Sequence, residues 1–201
     1  MPKLFYQGHG SIRLTTNDGR IIYIDPYAGK NESYSMPADI ILVTHQHHDH
    51  NQIKLCVQKP DCRIITNEEA LYGEKYNEFN INGVTIQAVE ASNKMHNPKK
   101  CVGYLIKLDG VMIYSSGDTS KTKQMEQFSE LEIDYALFPG DGIFNMGLEE
   151  AAECARLVNA KHNMIIHLKP GESIRKKAEK WTAPNKLIIE PGHEIELYKK
   201  I

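Results

Sequence analysis

The amino-acid sequence predicts an α/β protein, built as a four-layer α-β-β-α sandwich in which two mixed β-sheets pack face to face between outer helices. Strand patterns occur in an early and a later stretch of the chain, and helical patterns follow each of them. The nearly continuous apolar run at residues 38–45 is typical of a strand buried on both faces, and residues 134–168 repeat its alternation of strand and helix. Since no linker interrupts the 201 residues, we expect a single domain over residues 1–201.

Composition and charge exclude several classes of protein. Hydrophobic residues make up 41% of the chain and charged residues 25%, which is typical of folded globular proteins. The formal net charge of −2 provides no basic surface of the kind that binds nucleic acid. Because no run of about 18 apolar residues occurs, at the N-terminus or elsewhere, we expect a cytoplasmic protein without a membrane partner. The sequence leaves open whether the protein is a homo-oligomer.

The four cysteines are scattered along the chain. Cys56, Cys62, Cys101 and Cys154 form no Cys-x-x-Cys pair, and the chain is too long to need a disulfide scaffold. We therefore expect free thiols. A zinc site formed by all four cysteines is the alternative, although its usual close pairs are missing.

The first part of the chain begins with antiparallel strand patterns and continues with alternating strands and helices. The Asn17-Asp18-Gly19 sequence is a strong hairpin signal. The apolar run from Ala38 ends directly at a cluster of histidines. In chain order we predict strands at 3–7, 11–16, 20–25 and 38–45, a short helix at 51–58, a strand at 62–67, and a helix at 67–73 with Asn67 as its N-cap.

The second part predicts two hairpins followed by another alternation of strands and helices. Asn82-Gly83 and Asp109-Gly110 mark the two hairpin turns, and Pro191-Gly192 marks a later one. The predicted elements are strand pairs within 79–91 and 103–118, a strand at 134–140, a helix at 148–159, a strand at 163–168, a helix at 172–181, and strands at 186–190 and 194–200.

The segment Thr44-His-Gln-His-His-Asp-His50 concentrates metal-binding side chains at one strand end. Imidazole nitrogen and carboxylate oxygen are common ligands of zinc, so His45, His47, Asp49 and His50 are candidate ligands. Residues 45, 47 and 49 of an extended chain project with a period of two, and a tightening turn brings His50 beside Asp49. One short segment can thus serve two adjacent metal ions. A solvated histidine-rich loop is the alternative, but such a loop does not normally follow a buried strand.

This segment resembles the signature of hydrolases with the metallo-β-lactamase fold. Similarity to that superfamily's branch of small metal-dependent hydrolases, which includes relatives of sugar-phosphate lactonases, covers nearly the whole chain. It is carried by GHGSIRL, IDP, SSGDT, the FNM segment, IIHL and PGHEIEL. The resemblance implies the α-β-β-α fold and an enzyme that depends on metal ions.

The resemblance also implies a ligand set for two divalent metal ions. The first ion would be bound by His45, His47 and His96, and the second by Asp49, His50 and His167, with Asp118 as a bridge between them. For two of these residues an ordinary reading stays open, since Asp118 could be a helix N-cap and His96 a plain loop residue. Zn²⁺ is the expected ion, and Mn²⁺, Fe²⁺ and Ni²⁺ suit the same ligands.

Four further residues are weaker candidates. Asp25, in IDP, would orient a metal-bound imidazole or the motif backbone, or else only start a turn. His9 would contact substrate or water, or else be a turn histidine bonded to backbone. Lys169 would pair with a substrate phosphate, although most lysines are simply exposed. His193 stands where relatives often carry glutamate, so its role is left open.

The implied reaction is hydrolysis by a hydroxide that bridges two metal ions. Asp49 would be the catalytic residue that orients this nucleophile. Two divalent ions, two carboxylates and one hydroxide leave a net charge of about +1, which favours an anionic substrate. We therefore predict cleavage of a small ester, lactone or phosphodiester. The alternative is a non-catalytic metal-binding or sensing module that keeps the hydrolase fold.

Overall fold

Two six-stranded sheets dominate the computed structural model of the protein, which describes residues 1–199. The strands are β1 (Lys3–Gly8), β2 (Ser11–Thr15), β3 (Ile21–Ile24), β4 (Ala38–Leu42), β5 (Gln58–Ile65), β6 (Leu71–Tyr72), β7 (Lys75–Tyr76), β8 (Glu78–Ile81), β9 (Val84–Glu90), β10 (Val102–Leu108), β11 (Val111–Ser115), β12 (Tyr135–Pro139), β13 (His162–Ile166) and β14 (His193–Glu196). The α-helices are α1 (Asn67–Ala70), α2 (Leu148–Val158) and α3 (Ile174–Lys180), and short 3-10 helices span Asn31–Tyr34, Ile53–Leu55 and Gln124–Leu131.

Both large sheets combine antiparallel and parallel pairing. The N-terminal sheet has the order β14-β1-β2-β3-β4-β5, and its β3, β4 and β5 run parallel. The C-terminal sheet has the order β13-β12-β11-β10-β9-β8, and its β11, β12 and β13 run parallel. The predicted sandwich of two mixed sheets is confirmed. Each sheet contributes a block of parallel strands whose carboxyl ends share one edge.

The central strands of the N-terminal sheet are buried on both faces, as their continuous apolar sequences predict. Ile22 and Leu42 belong to the large core shared with the C-terminal sheet, whereas Tyr23 and Ile41 belong to a smaller cluster on the outer face. Each such side chain stabilises the fold by roughly 1.5–3 kcal/mol relative to an exposed one. This burial fixes the position at which β4 ends and the histidine segment begins.

The two outer layers differ in their helices. Helices α2 and α3 pack on β12 and β13 of the C-terminal sheet. The buried face of α2 consists mainly of small residues, which permit close approach to the sheet. They are Ala151, Ala152, Cys154, Ala155 and Val158. The outer face of the N-terminal sheet is instead covered by short 3-10 helices, which contribute the buried Tyr34 and the partly buried Ile53 and Leu55.

The helix predicted at 51–58 is wrong. Only Ile53–Leu55 forms a single 3-10 turn. The amide of Val57 donates to the Tyr34 carbonyl, and the Val57 carbonyl accepts from the Ala38 amide. These bonds align the chain with β4, and β5 begins at Gln58. Pairing in the sheet therefore overrides the local helical pattern.

Three other elements differ from prediction. Helix α1 has only one turn, and its N-cap is Thr66 rather than Asn67. The predicted strand at 186–190 is extended chain with one isolated bridge, between Lys186 and Asn163. The last predicted strand is confined to β14, and the part of that prediction at Lys200 lies outside the described residues.

That residues 1–201 form one domain stays a prediction. Among residues 1–199, no helix has both the length and the apolar character required to cross a bilayer.

We predict that Gly117, between β11 and Asp118, tolerates no side chain. Its φ is +64°, and an added Cβ would lie 2.7 Å from the Val102 carbonyl oxygen. Gly110 is a matched control, because its φ is +82° and no atom lies within 4 Å of its added Cβ. We expect Gly110→Ala to lower the free energy of unfolding by about 1 kcal/mol and Gly117→Ala by about 3 kcal/mol, measured by urea denaturation. Equal losses would contradict the proposed clash.

Candidate metal centre

Strand ends from both sheets bring acidic and histidine side chains to one edge of the sandwich. Carboxyl ends of parallel strands lie side by side, and ligand sites commonly form there. The residues that follow these strands are Asp25 after β3, Thr44 to His50 after β4, Asp118 after β11, Asp141 after β12 and His167 after β13. The cluster is therefore a direct product of the sheet topology.

The first group of candidate ligands consists of His45, His47 and His96, whose ligand atoms all lie within 4.8 Å of one another. His96 Nε2 is 3.2 Å from His47 Nδ1. Nitrogen ligands at about 2.1 Å from a tetrahedral zinc ion lie about 3.4 Å apart, so this spacing suits a shared cation. The structure thus brings together the residues predicted for the first metal ion.

Hydrogen bonds assign the proton of His45 to its outer nitrogen. Thr44 Oγ1 donates its proton to Asp25 Oδ2 at 2.7 Å, so it accepts from His45 Nδ1 at 3.0 Å. His45 Nε2 is buried and has no hydrogen-bond partner among residues 1–199. Buried ring nitrogens are normally paired, and this one carries a lone pair that suits a metal ion. Burial, followed by the charge of His50, lowers the pKa of His45 to about 2, which keeps the ring neutral.

The second group consists of Asp49, His50 and His167, together with His9. His50 Nε2 and His167 Nε2 are 3.2 Å apart, and their rings are stacked. His9 Nε2 lies 3.0 Å from Asp49 Oδ2, and the His9 ring centroid lies 3.6 Å from that of His167. His9 is thus at the centre itself. Its hydrogen bond is the main cause that holds the pKa of Asp49 far below its usual range.

The Asp118 carboxylate lies between the two groups. Its Oδ2 is 3.3 Å from His96 Nε2, and its Oδ1 is 3.3 Å from His167 Nε2 and 3.5 Å from His50 Nε2. One oxygen therefore faces each group, which is the geometry of a bridging ligand. The alternative role as a helix N-cap finds no support, because the next helix begins at Gln124 with Lys123 as its N-cap. Burial opposes ionisation of Asp118, but the surrounding histidines hold its pKa well below the usual range.

The Asp25 carboxylate accepts hydrogen bonds from residues of the histidine segment that position both groups. Its Oδ1 accepts from the Thr44 amide at 2.8 Å, and its Oδ2 accepts from Thr44 Oγ1 and from His50 Nδ1 at 2.8 Å. The bond from His50 Nδ1 leaves His50 Nε2 free to face Asp118 and His167. Burial disfavours a charged His50, but Asp25 and Asp118 outweigh it and raise the His50 pKa. Asp25 therefore contacts both the motif backbone and an imidazole, as expected for an orienting carboxylate.

Three residues of the centre adopt backbone conformations that are rare for residues other than glycine. The φ angles of His9, Asp25 and His167 are 50°, 46° and 49°. Such conformations cost on the order of 1–3 kcal/mol each and concentrate at functional sites, where surrounding bonds hold them in place. The His167 amide donates to the His9 carbonyl at 2.9 Å, which ties two of these residues together.

Three supporting residues were missed in the sequence. Asn93 Oδ1 accepts from His96 Nδ1 at 2.8 Å, and its Nδ2 donates to Asn145 Oδ1 at 3.0 Å. Asn145 Nδ2 donates in turn to Asp141 Oδ2 at 2.9 Å, and this oxygen lies 3.4 Å from His167 Nδ1. A continuous polar chain therefore joins a histidine of the first group to one of the second.

The sequence held a signal for one of these three residues. Asp141 follows β12 just as Asp25 follows β3 and Asp118 follows β11, so strand-end position could have identified it. Asn93 lies in a polar loop without a distinguishing pattern.

Burial opposes protonation of His167, but Asp118 and Asp141 raise its pKa to about 10, and the same negative field attracts a metal cation.

The remaining candidates lie around or away from the cluster. Lys169 is partly buried and lines a cavity of about 430 Å³ next to the second group, beside His9 and Asp49. His48 is exposed and bonds to Gln52, and His193 is exposed on the edge strand β14. All four cysteines are free thiols, as expected.

A sandwich of two mixed sheets with imidazoles and carboxylates clustered at one edge defines the class of this protein, a metal-dependent hydrolase with the metallo-β-lactamase fold. The chain belongs to the beta-lactamase superfamily, whose domain matches residues 3–167, and to its UPF0173 metal-dependent hydrolases. It is 31% identical to the UPF0173 metal-dependent hydrolase of Thermococcus kodakarensis, over 98% of this chain and 100% of the relative. The corresponding protein of Pyrococcus furiosus is 30% identical with the same coverage.

Solved structures agree on the fold. A protein from Parabacteroides distasonis is 28% identical and superposes with a TM-score of 0.78, covering 94% of this chain and 93% of that one. Igni18, a metallo hydrolase from Ignicoccus hospitalis, is 20% identical with a TM-score of 0.76, covering 98% and 99%. The names of these relatives mention no lactone substrate, so the likeness to sugar-phosphate lactonases stays a prediction.

We predict that Asn93 orients His96 for metal binding. Asn93→Ala removes the acceptor of His96 Nδ1 and should weaken binding of Zn²⁺ about 10- to 100-fold, measured by competition with a chromophoric chelator. Asn97→Ala is the matched control, because this exposed residue lies in the same loop and, within the described part of the chain, its side chain bonds only the Lys99 amide. Similar affinities of the two variants would contradict an orienting role.

Proposed function

We propose that the protein is a hydrolase with a binuclear metal site. The first ion would be held by His45, His47 and His96, and the second by Asp49, His50 and His167, with Asp118 shared between them. The observation that carries this proposal is the Asp118 carboxylate, which directs one oxygen to each group of histidines.

The donor set supports a pair of transition-metal ions. Imidazole nitrogens and carboxylate oxygens suit Zn²⁺ first, and Mn²⁺, Fe²⁺ or Ni²⁺ as well. The unpaired buried Nε2 of His45 is explained by such an ion. When bound, two divalent ions would activate a water molecule and polarise the bond to be cleaved.

Asp49 and His9 have separate roles in the proposed reaction. Asp49 is partly exposed and held ionised by His9, so it can accept a hydrogen bond from the attacking water and orient it. His9 borders the adjacent cavity, where it can contact the substrate. Ser116 is buried, and its hydroxyl donates to the Gly117 carbonyl, which does not favour a serine nucleophile. Hydrolysis therefore needs no covalent intermediate with the protein.

Charge and size favour a small anionic substrate. Asp49 and Asp118 supply two negative charges as ligands, so the ligands of two divalent ions leave a net positive charge, which the neighbouring carboxylates of Asp25 and Asp141 reduce. Lys169 adds a further positive charge at the neighbouring cavity. Cavities of about 430 and 700 Å³ flank the two groups, which are sizes typical of small-molecule sites. We therefore propose an ester, lactone or phosphodiester as substrate.

Metal removal and reconstitution test the function. We expect about two equivalents of Zn²⁺ or Mn²⁺ per chain after reloading a chelator-treated sample. We also expect metal-dependent turnover of bis-p-nitrophenyl phosphate, p-nitrophenyl esters or lactones. Two bound ions without turnover of any of these substrates would indicate a metal-binding or sensing module instead.

Replacement of Asp118 tests the shared ligand. We expect Asp118→Ala to retain at most about one ion and to lose at least about 100-fold in turnover, because both groups lose their common oxygen donor. Asp61→Ala, at an exposed aspartate of β5, is the control and should keep both properties. Full metal content and activity in Asp118→Ala would exclude the bridging role. Circular dichroism checks that each variant is folded.

Replacement of Lys169 tests the preference for anions. Loss of a partly buried positive charge should raise KM for a phosphodiester about threefold and leave KM for a neutral ester unchanged. Lys169→Gln is compared with Lys30→Gln, which removes an exposed lysine elsewhere. An equal change in KM for both substrate classes would show that Lys169 does not recognise negative charge.

A further inference from the structure

We infer that the substrate carries an apolar group beside the bond that is cleaved, and that this group binds against an apolar wall formed by Tyr27, Ile143, Phe144 and Leu168. This inference rests on the proposed function and specifies its substrate class. The chemistry it points to is an ester-type substrate with an alkyl or aryl substituent, rather than a uniformly polar one.

The apolar wall and the second group of ligands line the same cavity. This cavity has a volume of about 430 Å³, and His9, Asp49 and His167 line it together with the four residues of the wall. A substrate whose reacting atoms lie at Asp49 would thus place its nearest substituent against apolar side chains. The arrangement resembles that of small-molecule sites, in which apolar lining supplies affinity and a few polar groups fix orientation.

The cavity on the other side of the centre differs in character. It borders the first group and has a volume of about 700 Å³, and its lining combines Leu71 and Met95 with polar side chains such as Gln46, Asn67 and Lys100. The two flanks of the metal centre therefore favour different chemistry. A substrate with one apolar and one polar side would have a single preferred orientation across the centre.

Three of the four residues of the apolar wall are exposed, whereas Leu168 is buried behind them in the core. Ile143 and Phe144 are 59% and 57% exposed, and Tyr27 is 39% exposed. Contiguous exposed apolar side chains beside a cavity commonly mark a binding site. Covering them with a ligand would remove their apolar surface from water, which favours binding by about 25 cal/mol per Å².

Hydrogen bonds hold the wall in this exposed position. Asp141 Oδ1 accepts from the amides of Ile143 at 2.6 Å and Phe144 at 2.7 Å, and Asn93 Nδ2 donates to the Phe144 carbonyl at 3.0 Å. Asp141 and Asn93 are also the residues that contact His167 and His96. The wall is thus fixed relative to the metal centre, and such preorganisation reduces the entropy lost when a ligand binds.

A small molecule fits this surface better than a protein partner. The wall and the candidate catalytic residues line the same cavity. A protein that covered Ile143 and Phe144 would obstruct this cavity and separate Asp49 from its substrate. A substrate substituent would instead use the surface during the reaction.

Binding of straight-chain carboxylates to the zinc-loaded protein tests the inference without measuring turnover. Acetate, butyrate, hexanoate and octanoate share one charged group and differ only in the length of the apolar tail. We expect the dissociation constant, measured by calorimetry, to decrease about two- to fourfold for each added methylene that reaches the wall. The heat capacity change should become more negative with tail length.

Substitutions locate the effect. In the double variant Ile143→Ser/Phe144→Ser, the dependence on tail length should fall below about 1.5-fold per methylene, while acetate binding stays unchanged. Val57→Ser is the control, because Val57 is 49% exposed and precedes β5 at the opposite end of β4 from the histidine segment. This variant should keep the full dependence.

The outcomes separate the inference from the proposed function. Affinities that do not change with tail length in a protein with metal-dependent turnover would overturn the apolar site and leave the hydrolase proposal intact. A dependence on tail length that survives in the double variant would overturn the assignment of the apolar site to this wall. If light scattering also showed that the unchanged protein is a dimer and the double variant a monomer, the wall would be a protein interface instead. Absence of metal-dependent turnover would instead contradict the proposed function.

Discussion

The convergence of buried imidazole nitrogens on the Asp118 carboxylate is the interaction on which the rest of the site depends. Burying this many polar groups is unfavourable unless each finds a partner. The outer nitrogens of His45, His50 and His96 have oxygen acceptors in Thr44, Asp25 and Asn93. Their inner nitrogens are thereby left to face the centre. The outer bonds therefore determine which atoms are available to a metal ion.

The sheet topology explains how distant residues form this arrangement. The parallel blocks of the two sheets end at one edge, and their successive strand ends supply Asp25, the histidine segment, Asp118, Asp141 and His167. Left-handed backbone conformations at three residues turn side chains inward at a cost in strain. The chain through Asn93, Asn145 and Asp141 then fixes both the candidate ligands and the apolar wall, so that the proposed metal binding and substrate recognition would share one framework.

Much of the fold follows from local sequence, and so does part of the site. The apolar run from Ala38 predicts a strand buried on both faces, and its position next to His45 identifies the centre. The helix predicted at 51–58 fails because Val57 is paired with Tyr34 and Ala38, which lie far from it in sequence. Asn67 fails as a cap because its side chain bonds Gln46 and the Lys100 carbonyl instead. Asn93 and the exposed wall at Phe144 depend on contacts between loops, which periodicity does not report.

The shared site is tested most directly by anomalous X-ray scattering from zinc-loaded crystals at the zinc absorption edge. We predict two peaks, one on each side of the Asp118 carboxylate, separated by about 3.5–4 Å. A single peak, or peaks remote from Asp118, would contradict a centre in which two ions share this residue.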